Sequence, residues 1–438
     1  MGALSVYRLA ELSPVDRHRI MERATGEIFA PALVESVRAI IEDVRARGDA
    51  AVCDALARFD GVECLPADLR VSDEELASAG GQVEPGVVAA IREGIANIRA
   101  FNERVLADAS WTKELAPGLL VGEQARPIES AALFVPGGKG SFPSVLMQIG
   151  TPAVVAGVSR LVVLAPPSAG RGLGIDPAVL VVARELGLRD VFRVNGPAGI
   201  AAAAFGTETI PKVRKVVGPG SPAVTIAQVT VQLYGCATEM LFGPSESLVI
   251  ADGAADVRIL AADVLNEAEH GSDSAALLVT PSEALVRAVD EEIARQLAEL
   301  PAWRREFAAA AVSHFGGAII VRDLDEACAF ANEYAPEHLQ VATVDPEALL
   351  DRLDHAGEIL LGDTPFSAGN YLIGVPATLP TGGYAKVTSG VTARTFVKTS
   401  SLGRTSRDAL ARLAPGIVAL AEHEGFPAHA AAIRIRGL

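Results

Sequence analysis

AALFVPGG at residues 131–138 is a short apolar run that ends in a Pro-Gly turn, and the pattern recurs further along the chain. The later runs are LVVLAPP at 161–167, VFRVNGP at 191–197 and VRKVVGPG at 213–220. Helical segments such as PAVLVVARELG at 177–187 separate them. Such alternation predicts βαβ units that share a parallel sheet.

A second series of apolar runs begins after the turn LFGPSE at 241–246. Helices are predicted between these runs, over 255–270, 281–299 and 323–334. The predicted strands are SLVIAD (247–252), AALLVT (275–280), AIIVRD (318–323), LQVAT (339–343) and EILLGD (358–363). The fold class is therefore α/β, with two parallel-sheet domains.

The segments around these two series are predicted to be mainly helical at both ends of the chain. Apolar residues recur at helical spacing over 31–58 and 84–106, and again in the tail from 404. Residues 362–403 are rich in Gly, Thr and Ser and show no clear helix. We therefore predict an N-terminal arm (1–30), one α/β domain (31–130 with 243–385), a second α/β domain (131–242) and a C-terminal helical tail (386–438).

The formal net charge of −16 excludes the usual class of nucleic-acid binders, since no Lys/Arg cluster supplies a basic face. No uncharged apolar run reaches about 18 residues, so we expect no membrane span. The first residues lack the apolar segment of a secretion signal. The cysteines show no metal or redox spacing, which is typical of cytoplasmic thiols: Cys53, Cys64, Cys236 and Cys328.

Three clusters of histidine with glutamate could carry chemistry. Glu267 and His270 are three residues apart near the end of a predicted helix. This spacing puts both side chains on one helix face, so both could contact one ion. Glu337 and His338 are adjacent, and a carboxylate beside an imidazole suits proton transfer near neutral pH. The third cluster is EHEGFPAH at 422–429. Each cluster taken alone is also explained by a solvated helix end or a surface pair.

Two glycine loops lie between predicted strands and helices. FVPGGKG at 134–140 and VVGPGSP at 216–222 could direct backbone N–H groups at a phosphate. Neither has the GxGxxG spacing of a dinucleotide fingerprint. Tight strand-to-helix turns explain them equally well.

Eight ordered motifs together resemble the histidinol dehydrogenase family. They include FGTETIPKV (205–213), YAPEHLQV (334–341) and the pair LPT–GYA (379–385). The others are PGG–PS–LM (136–147), VGPG (217–220), GPSE–LVIAD (243–252), AEHG–DS (268–274) and EG––HA (424–430). The resemblance covers most of the chain.

The resemblance implies an activity, a partner and a set of roles. Members of this family oxidise an amino alcohol to the carboxylic acid in two NAD-dependent steps, as homodimers with swapped terminal segments. It implies that Glu337 and His338 are the acid–base pair. It also implies that His270 and His429 are zinc ligands, with His429 coming from the partner subunit, and it implies substrate contacts for Ser245 and Glu424.

Two departures from the family pattern fall at the metal ligands. Glu267 stands where the family has Gln, and Asn370 stands where it has Asp. The two changes are opposite in charge, so the set keeps one carboxylate. Two imidazoles and two oxygens still suit zinc. We therefore predict one zinc per subunit, with the ligands Glu267, His270, Asn370 and His429.

Further departures fall at the substrate and nucleotide contacts. Ala377 closes the stretch Gly374-Val375-Pro376-Ala377, where the family has G-x-N-H, so a polar substrate contact has become a methyl group. Phe134, Ala198 and Ser221 replace Tyr, Gln and Asn at positions implied to touch NAD. The glycine turns between them remain.

The sequence therefore predicts a zinc- and NAD-dependent enzyme that oxidises a primary (amino) alcohol, via an aldehyde, to a carboxylic acid. Because of Ala377, the expected substrate is an alcohol other than L-histidinol. Three alternatives stay open: a true L-histidinol dehydrogenase, a non-redox metalloenzyme that uses the same Glu–His pair, and a catalytically silent assembly protein.

Overall fold

A computed structural model describes residues 2–24, 26, 28–137, 140–168, 170–239 and 243–437. Residues 138 and 139 of the FVPGGKG loop lie outside these ranges, as do residues 241 and 242 of the LFGPSE turn. The described residues form a six-stranded, a five-stranded and a three-stranded sheet.

The strands are β1 (Val6–Arg8), β2 (Trp111–Ala116), β3 (Leu119–Pro127), β4 (Ser130–Phe134), β5 (Arg160–Ala165), β6 (Asp190–Arg193), β7 (Lys215–Val217), β8 (Ala237–Thr238), β9 (Glu246–Ala251), β10 (Ala275–Thr280), β11 (Gly317–Ile320), β12 (His338–Ala342), β13 (Glu358–Leu361) and β14 (Val397–Thr405). The α-helices are α1 (Pro14–Glu22), α2 (Pro31–Arg47), α3 (Asp49–Ala55), α4 (Asp73–Ser78), α5 (Pro85–Leu106), α6 (Pro143–Ala156), α7 (Pro177–Glu185), α8 (Gly196–Phe205), α9 (Pro222–Gln232), α10 (Val257–Ala268), α11 (Glu283–Glu299), α12 (Ala302–Ala310), α13 (Leu324–Tyr334), α14 (Phe366–Tyr371), α15 (Arg407–His423) and α16 (Pro427–Arg434).

The five-stranded sheet has the order β6-β5-β4-β7-β8, and all its strand pairs are parallel. Alternate side chains of each strand enter two different cores. In β4, Leu133 packs on one face and Phe134 on the other. Because helices cover both faces, the central residues of these strands are apolar, which is why the strands appear in the sequence as short apolar runs.

The six-stranded sheet is also parallel, with the order β1-β11-β10-β9-β12-β13. Its two faces alternate in the same way, with Val249 in one core and Leu248 in the other. The α/β class with two parallel-sheet domains is therefore confirmed.

The N-terminal residues divide between the domains differently from the sequence prediction. The sequence predicts that residues 31–130 belong with 243–385, but α2 and α3 pack against one face of the five-stranded sheet and α5 packs against the other. The apolar stripes of these helices complete the two cores of that sheet. Residues 1–30 are more than an arm, because β1 pairs with β11 at the edge of the six-stranded sheet.

A three-stranded antiparallel sheet is absent from the sequence prediction. β3 pairs with β2 on one side and with β14 on the other, and β14 follows directly on a segment whose Phe396 is buried in the core of the five-stranded sheet. The predicted C-terminal tail therefore contains a long strand, and the helices α15 and α16 follow it. The prediction of no clear helix in 362–403 is also corrected by the short helix α14.

Among the described residues, no helix combines the length and apolar composition that crossing a bilayer requires.

Candidate active site

The candidate active site lies at the amino-terminal edge of the six-stranded sheet. Glu246, His338 and Glu358 are the first residues of β9, β12 and β13. The helix α10 begins beyond the opposite edge, where the Asp256 side chain accepts from its first N–H groups. It therefore returns to the amino-terminal edge with Glu267 in its last turn. The site is built where strands begin and helices end.

The adjacent Glu337 and His338 form a buried pair. Ala335 ends α13 in the left-handed conformation, with φ of 52°, and the chain then enters β12. His338 Nε2 lies 3.7 Å from Glu337 Oε1, and the two side chains are 4 % and 11 % exposed. The backbone N–H of Glu246 donates to Glu337 Oε2 over 3.1 Å. This carboxylate therefore reaches the imidazole in a fixed orientation.

The charges around this pair change both of its pKa values. Burial lowers the pKa of His338, but the negative charges of Glu267, Glu337 and Glu358 outweigh burial and raise that pKa to about 10. Burial raises the pKa of Glu337 to about 8, against the attraction of His338, and the carboxylate of Glu246 adds to the rise. The surroundings of the imidazole therefore strongly attract positive charge.

Three of the four predicted metal ligands lie together beside this pair. Glu267 Oε2 is 3.1 Å from His270 Nε2 and 4.0 Å from His338 Nε2. Asn370, in α14, donates from Nδ2 to Glu267 Oε1 over 2.7 Å. Burial would raise the pKa of Glu267, but the attraction of His338 and His270 lowers it to about 2. Glu267 is therefore a buried carboxylate that stays ionised.

The fourth predicted ligand, His429, is not part of this group within one chain. It lies on α16 with its side chain exposed, and Glu424, which follows α15, is exposed as well. Within the described ranges, no set of three or more His, Cys, Asp and Glu side chains is arranged to hold a metal by itself. The side chain of His270 is 40 % exposed, which leaves that side of the group open.

A buried arginine, Arg23, pairs with one of the carboxylates of the site. Arg23, with φ of 57°, lies 2.6 Å through Nε from Glu246 Oε2, and both side chains are at most 4 % exposed. Its guanidinium stacks over the ring of Tyr334, 3.7 Å from the centroid, and donates to the carbonyl of the same residue. Arg23 therefore balances the charge of Glu246, whose backbone orients Glu337.

Two of the three predicted substrate contacts, Ser245 and Ala377, are partly buried. Ser245 directly precedes β9, and Ala377 lies beyond α14. The backbone N–H of Ala377 donates to Gln148 Oε1 over 3.3 Å, and Gln148 Nε2 donates to the carbonyl of Gly369 over 3.5 Å. One buried amide of the five-stranded domain thus contacts both the Ala377 stretch and the residue before Asn370.

A cavity of about 370 Å³ lies at the carboxyl-terminal edge of the five-stranded sheet. All three residues predicted to contact the nucleotide line it: Phe134, Ala198 and Ser221. It opens where β4 and β7 are neighbours and the strand order reverses, the usual ligand position in open α/β sheets. Asn195 Nδ2 donates to Asp60 Oδ1 over 2.7 Å at its polar side, and burial raises the pKa of Asp60.

Arg23, Glu246 and Glu358 are site residues that the sequence analysis missed. Glu246 and Glu358 each begin an otherwise apolar strand, and a carboxylate in that position is the signal that could have identified them. Arg23 lies just beyond α1, and nothing in the sequence pattern distinguishes it from the exposed arginines nearby.

The two parallel sheets and the buried Glu–His pair are those of a two-domain α/β enzyme. The chain belongs to the histidinol dehydrogenase family, whose family model matches residues 24–437. It is a family of oxidoreductases.

Proteins similar to this one align over almost the whole chain. A histidinol dehydrogenase from Heliobacterium mobile is 43% identical, with 98% of this chain and 99% of that protein aligned. One from Synechocystis is 38% identical, with 98% of each covered. The crystal structure of histidinol dehydrogenase from Elizabethkingia anophelis has a TM-score of 0.93 at 32% identity, covering 100% of this chain and 98% of that one.

Replacing Arg23 tests the buried ion pair. We expect Arg23→Met to lower the free energy of unfolding by about 3–5 kcal/mol, because Glu246 would remain as a buried, uncompensated charge. Arg17→Met, which removes an exposed pair with Glu333, should cost no more than about 1 kcal/mol. Urea unfolding midpoints of the two variants provide the comparison, and equal shifts would contradict a special role for Arg23.

Proposed function

We propose that this protein oxidises L-histidinol to L-histidine with NAD⁺. The observation that carries the proposal is the buried pair of Glu337 and His338, beside Glu267 and His270, in a chain that aligns end to end with proteins named histidinol dehydrogenase. The full-length similarity favours this substrate over the unidentified alcohol that the sequence predicts.

The reaction takes place in two oxidations with a hydration between them. In the first, the alcohol carbon loses a hydride to NAD⁺ and the hydroxyl loses its proton to the neutral form of His338, which gives the aldehyde. A cation bound beside Glu267 would favour that neutral form, because its positive charge would offset the carboxylates that raise the pKa of His338. Water then adds to the aldehyde carbon: Glu337 accepts a proton from the water, and the carbonyl oxygen takes up the proton that His338 accepted. The resulting hydrate loses a second hydride to a second NAD⁺ and a proton, which gives the acid.

The donors near His270 fit a divalent cation. The buried carboxylates of Glu267, Glu337 and Glu358 surround the imidazole of His338 with negative charge. Arg23 pairs with a fourth buried carboxylate, that of Glu246. The C-terminal ends of α10 and α13 add partial negative charge. A zinc ion held by Glu267, His270 and Asn370 would act as a Lewis acid on the alcohol oxygen.

The fourth ligand and one substrate contact are proposed to come from a second copy of this chain. His429 and Glu424 are exposed, and Leu420 and Phe426 beside them expose apolar surface. A homodimer with exchanged C-terminal tails would cover this surface and complete the ligand set at the open side of His270.

The cavity lined by Phe134, Ala198 and Ser221 fits part of a dinucleotide. Its volume lies in the range of small-molecule sites, about 300–1,000 Å³. The N-terminal ends of α8 and α9 meet there and present N–H groups that suit a phosphate. These donors are backbone groups, so they remain although the three side chains differ from the family pattern.

A second candidate is the oxidation of a different primary alcohol. It is favoured by Ala377, because a methyl group there cannot hydrogen-bond to a polar substrate. The two candidates share the chemistry of Glu337 and His338 and differ only in which alcohol is bound.

Metal analysis of histidine variants tests the shared zinc site. We expect His270→Ala and His429→Ala each to weaken zinc binding by more than about 100-fold, because losing a residue that only orients a metal ligand already weakens it by about 10–100-fold. His423→Ala, an exposed histidine of the same tail, should keep full zinc content after dialysis. Mixing the two defective variants should restore one intact site per dimer, and zinc retention by His429→Ala would contradict a ligand from the partner.

Calorimetric titration with NAD⁺ tests the cavity. Ser36 lines the cavity from α2 but is exposed, so Ser36→Trp should obstruct the cavity without disturbing the fold and abolish measurable binding. Glu35→Trp, on the outward face of the same helix, should bind like the unaltered protein. Equal binding by both variants would place the nucleotide elsewhere.

The variant Ala377→His distinguishes between the two candidate substrates. If L-histidinol is the substrate, NADH should form with the unaltered protein, and Ala377→His should change kcat/KM by less than about tenfold. If another alcohol is the substrate, the unaltered protein should be inactive with L-histidinol and Ala377→His should gain activity, since one hydrogen bond contributes about 0.5–1.5 kcal/mol. NADH absorbance is the measurement.

A further inference from the structure

The side chain of Glu358 contacts the Nδ1 edge of the His338 ring, and Glu337 lies near the Nε2 edge. His338 and Glu358 are register partners in the parallel pair β12–β13, so their side chains project from the same edge of the sheet. His338 Nδ1 lies 2.5 Å from Glu358 Oε1, and each side chain is 4 % exposed. Nothing in the proposed reaction uses Glu358 directly.

This contact determines which ring nitrogen of His338 carries the proton. A buried carboxylate only accepts hydrogen bonds, so the proton of a neutral imidazole stays on Nδ1. The lone pair is then on Nε2, the nitrogen that lies 3.7 Å from Glu337 and 4.0 Å from Glu267. Nε2 is therefore left free to accept a proton on the side of the site where the other catalytic groups lie.

The surroundings hold Glu358 in this position. A Cβ atom on Gly357 would lie 2.4 Å from the carbonyl oxygen of Glu337, so a glycine is needed for the close approach of these two strands. A Cβ on Gly369 would lie 2.7 Å from Glu358 Oε2. The ring of Phe366 packs edge-on against His338, with 5.7 Å between the centroids. These contacts enclose the imidazole and the carboxylate on the sides away from Glu337.

Packing alone does not explain a glutamate at this position. Glu358 Oε2 is buried without a hydrogen-bond partner among the described residues. Burying an unpaired carboxylate oxygen is unfavourable, and an apolar side chain would avoid that cost. The contact between Glu358 and His338 Nδ1 is the interaction that favours a carboxylate at this position.

We propose that Glu358 is a positioning residue that fixes the Nδ1–H tautomer of His338 and directs Nε2 at the alcohol. The proposal rests on the proposed function, in which His338 accepts the alcohol proton. Glu358 acts through the imidazole and does not touch the substrate.

The test compares Glu358→Gln with Glu358→Asp and with the control Glu347→Gln, an exposed residue outside the site. Zinc-loaded proteins labelled with ¹⁵N-histidine report the tautomer through the ring nitrogen shifts of His338, assigned with a His338→Gln variant. Glu358→Gln should populate the Nε2–H form, because an amide can donate as well as accept. Glu358→Asp should keep the Nδ1–H form.

Kinetics with L-histidinol and NAD⁺ supply the second measurement. Glu358→Gln should lower kcat by about 10–100-fold, the effect of losing a partner that orients a histidine, with KM within about twofold. Glu358→Asp should lose less. An unchanged tautomer in Glu358→Gln, with kcat equal to that of Glu347→Gln, would overturn the proposal, and so would equal losses in Gln and Asp variants without a tautomer change.

The two measurements separate this proposal from the proposed function. If the unaltered protein does not oxidise L-histidinol, the proposed function fails, while the nitrogen shifts still show whether Glu358 holds the tautomer. If the protein is active and the shifts do not respond to Glu358→Gln, the proposed function stands and the positioning role is wrong.

Discussion

The concentration of negative charge at one edge of the six-stranded sheet is the constraint on which the site depends. Glu246, Glu267, Glu337 and Glu358 are all buried there, and Arg23 balances Glu246 from the core side. Buried carboxylates are tolerated only with positive partners or hydrogen bonds. This requirement explains why Arg23 is buried, why the imidazole of His338 lies between acids, and why a cation fits beside His270.

The two domains use opposite edges of their sheets. Ligands of open α/β sheets usually bind at the carboxyl-terminal edge, and the cavity of the five-stranded sheet lies there. The Glu337–His338 pair lies at the amino-terminal edge of the other sheet, where α10 and α13 end. Helix N-termini attract phosphates and helix C-termini attract cations. Each edge thus suits the group that is proposed to bind at it.

The sequence predicts the parts of the fold that are buried on both faces. Strands such as β4 and β10 appear as continuous apolar runs, so the two parallel sheets, and most of their helices, could be read from the chain. The sheet of β2, β3 and β14 could not, because its strands are largely exposed and polar and β3 pairs with residues far along the chain. The sequence does not show which of the two domains contains α2, α3 and α5, because an apolar stripe shows that a helix is covered but not which sheet covers it.

For the site, the resemblance named the pair Glu337–His338 and the group around Glu267, and the structure brings five of these residues together. The resemblance does not identify Arg23 or Glu358, because their roles follow from strand register and burial. Gln148 is another residue of this kind. Because its single amide contacts the carbonyl of Gly369 and the N–H of Ala377, the five-stranded domain is joined to both stretches at one point. A substitution such as Gln148→Leu would therefore release the backbone before Asn370 and at Ala377 together, and so disturb the metal side and the substrate side of the site at the same time.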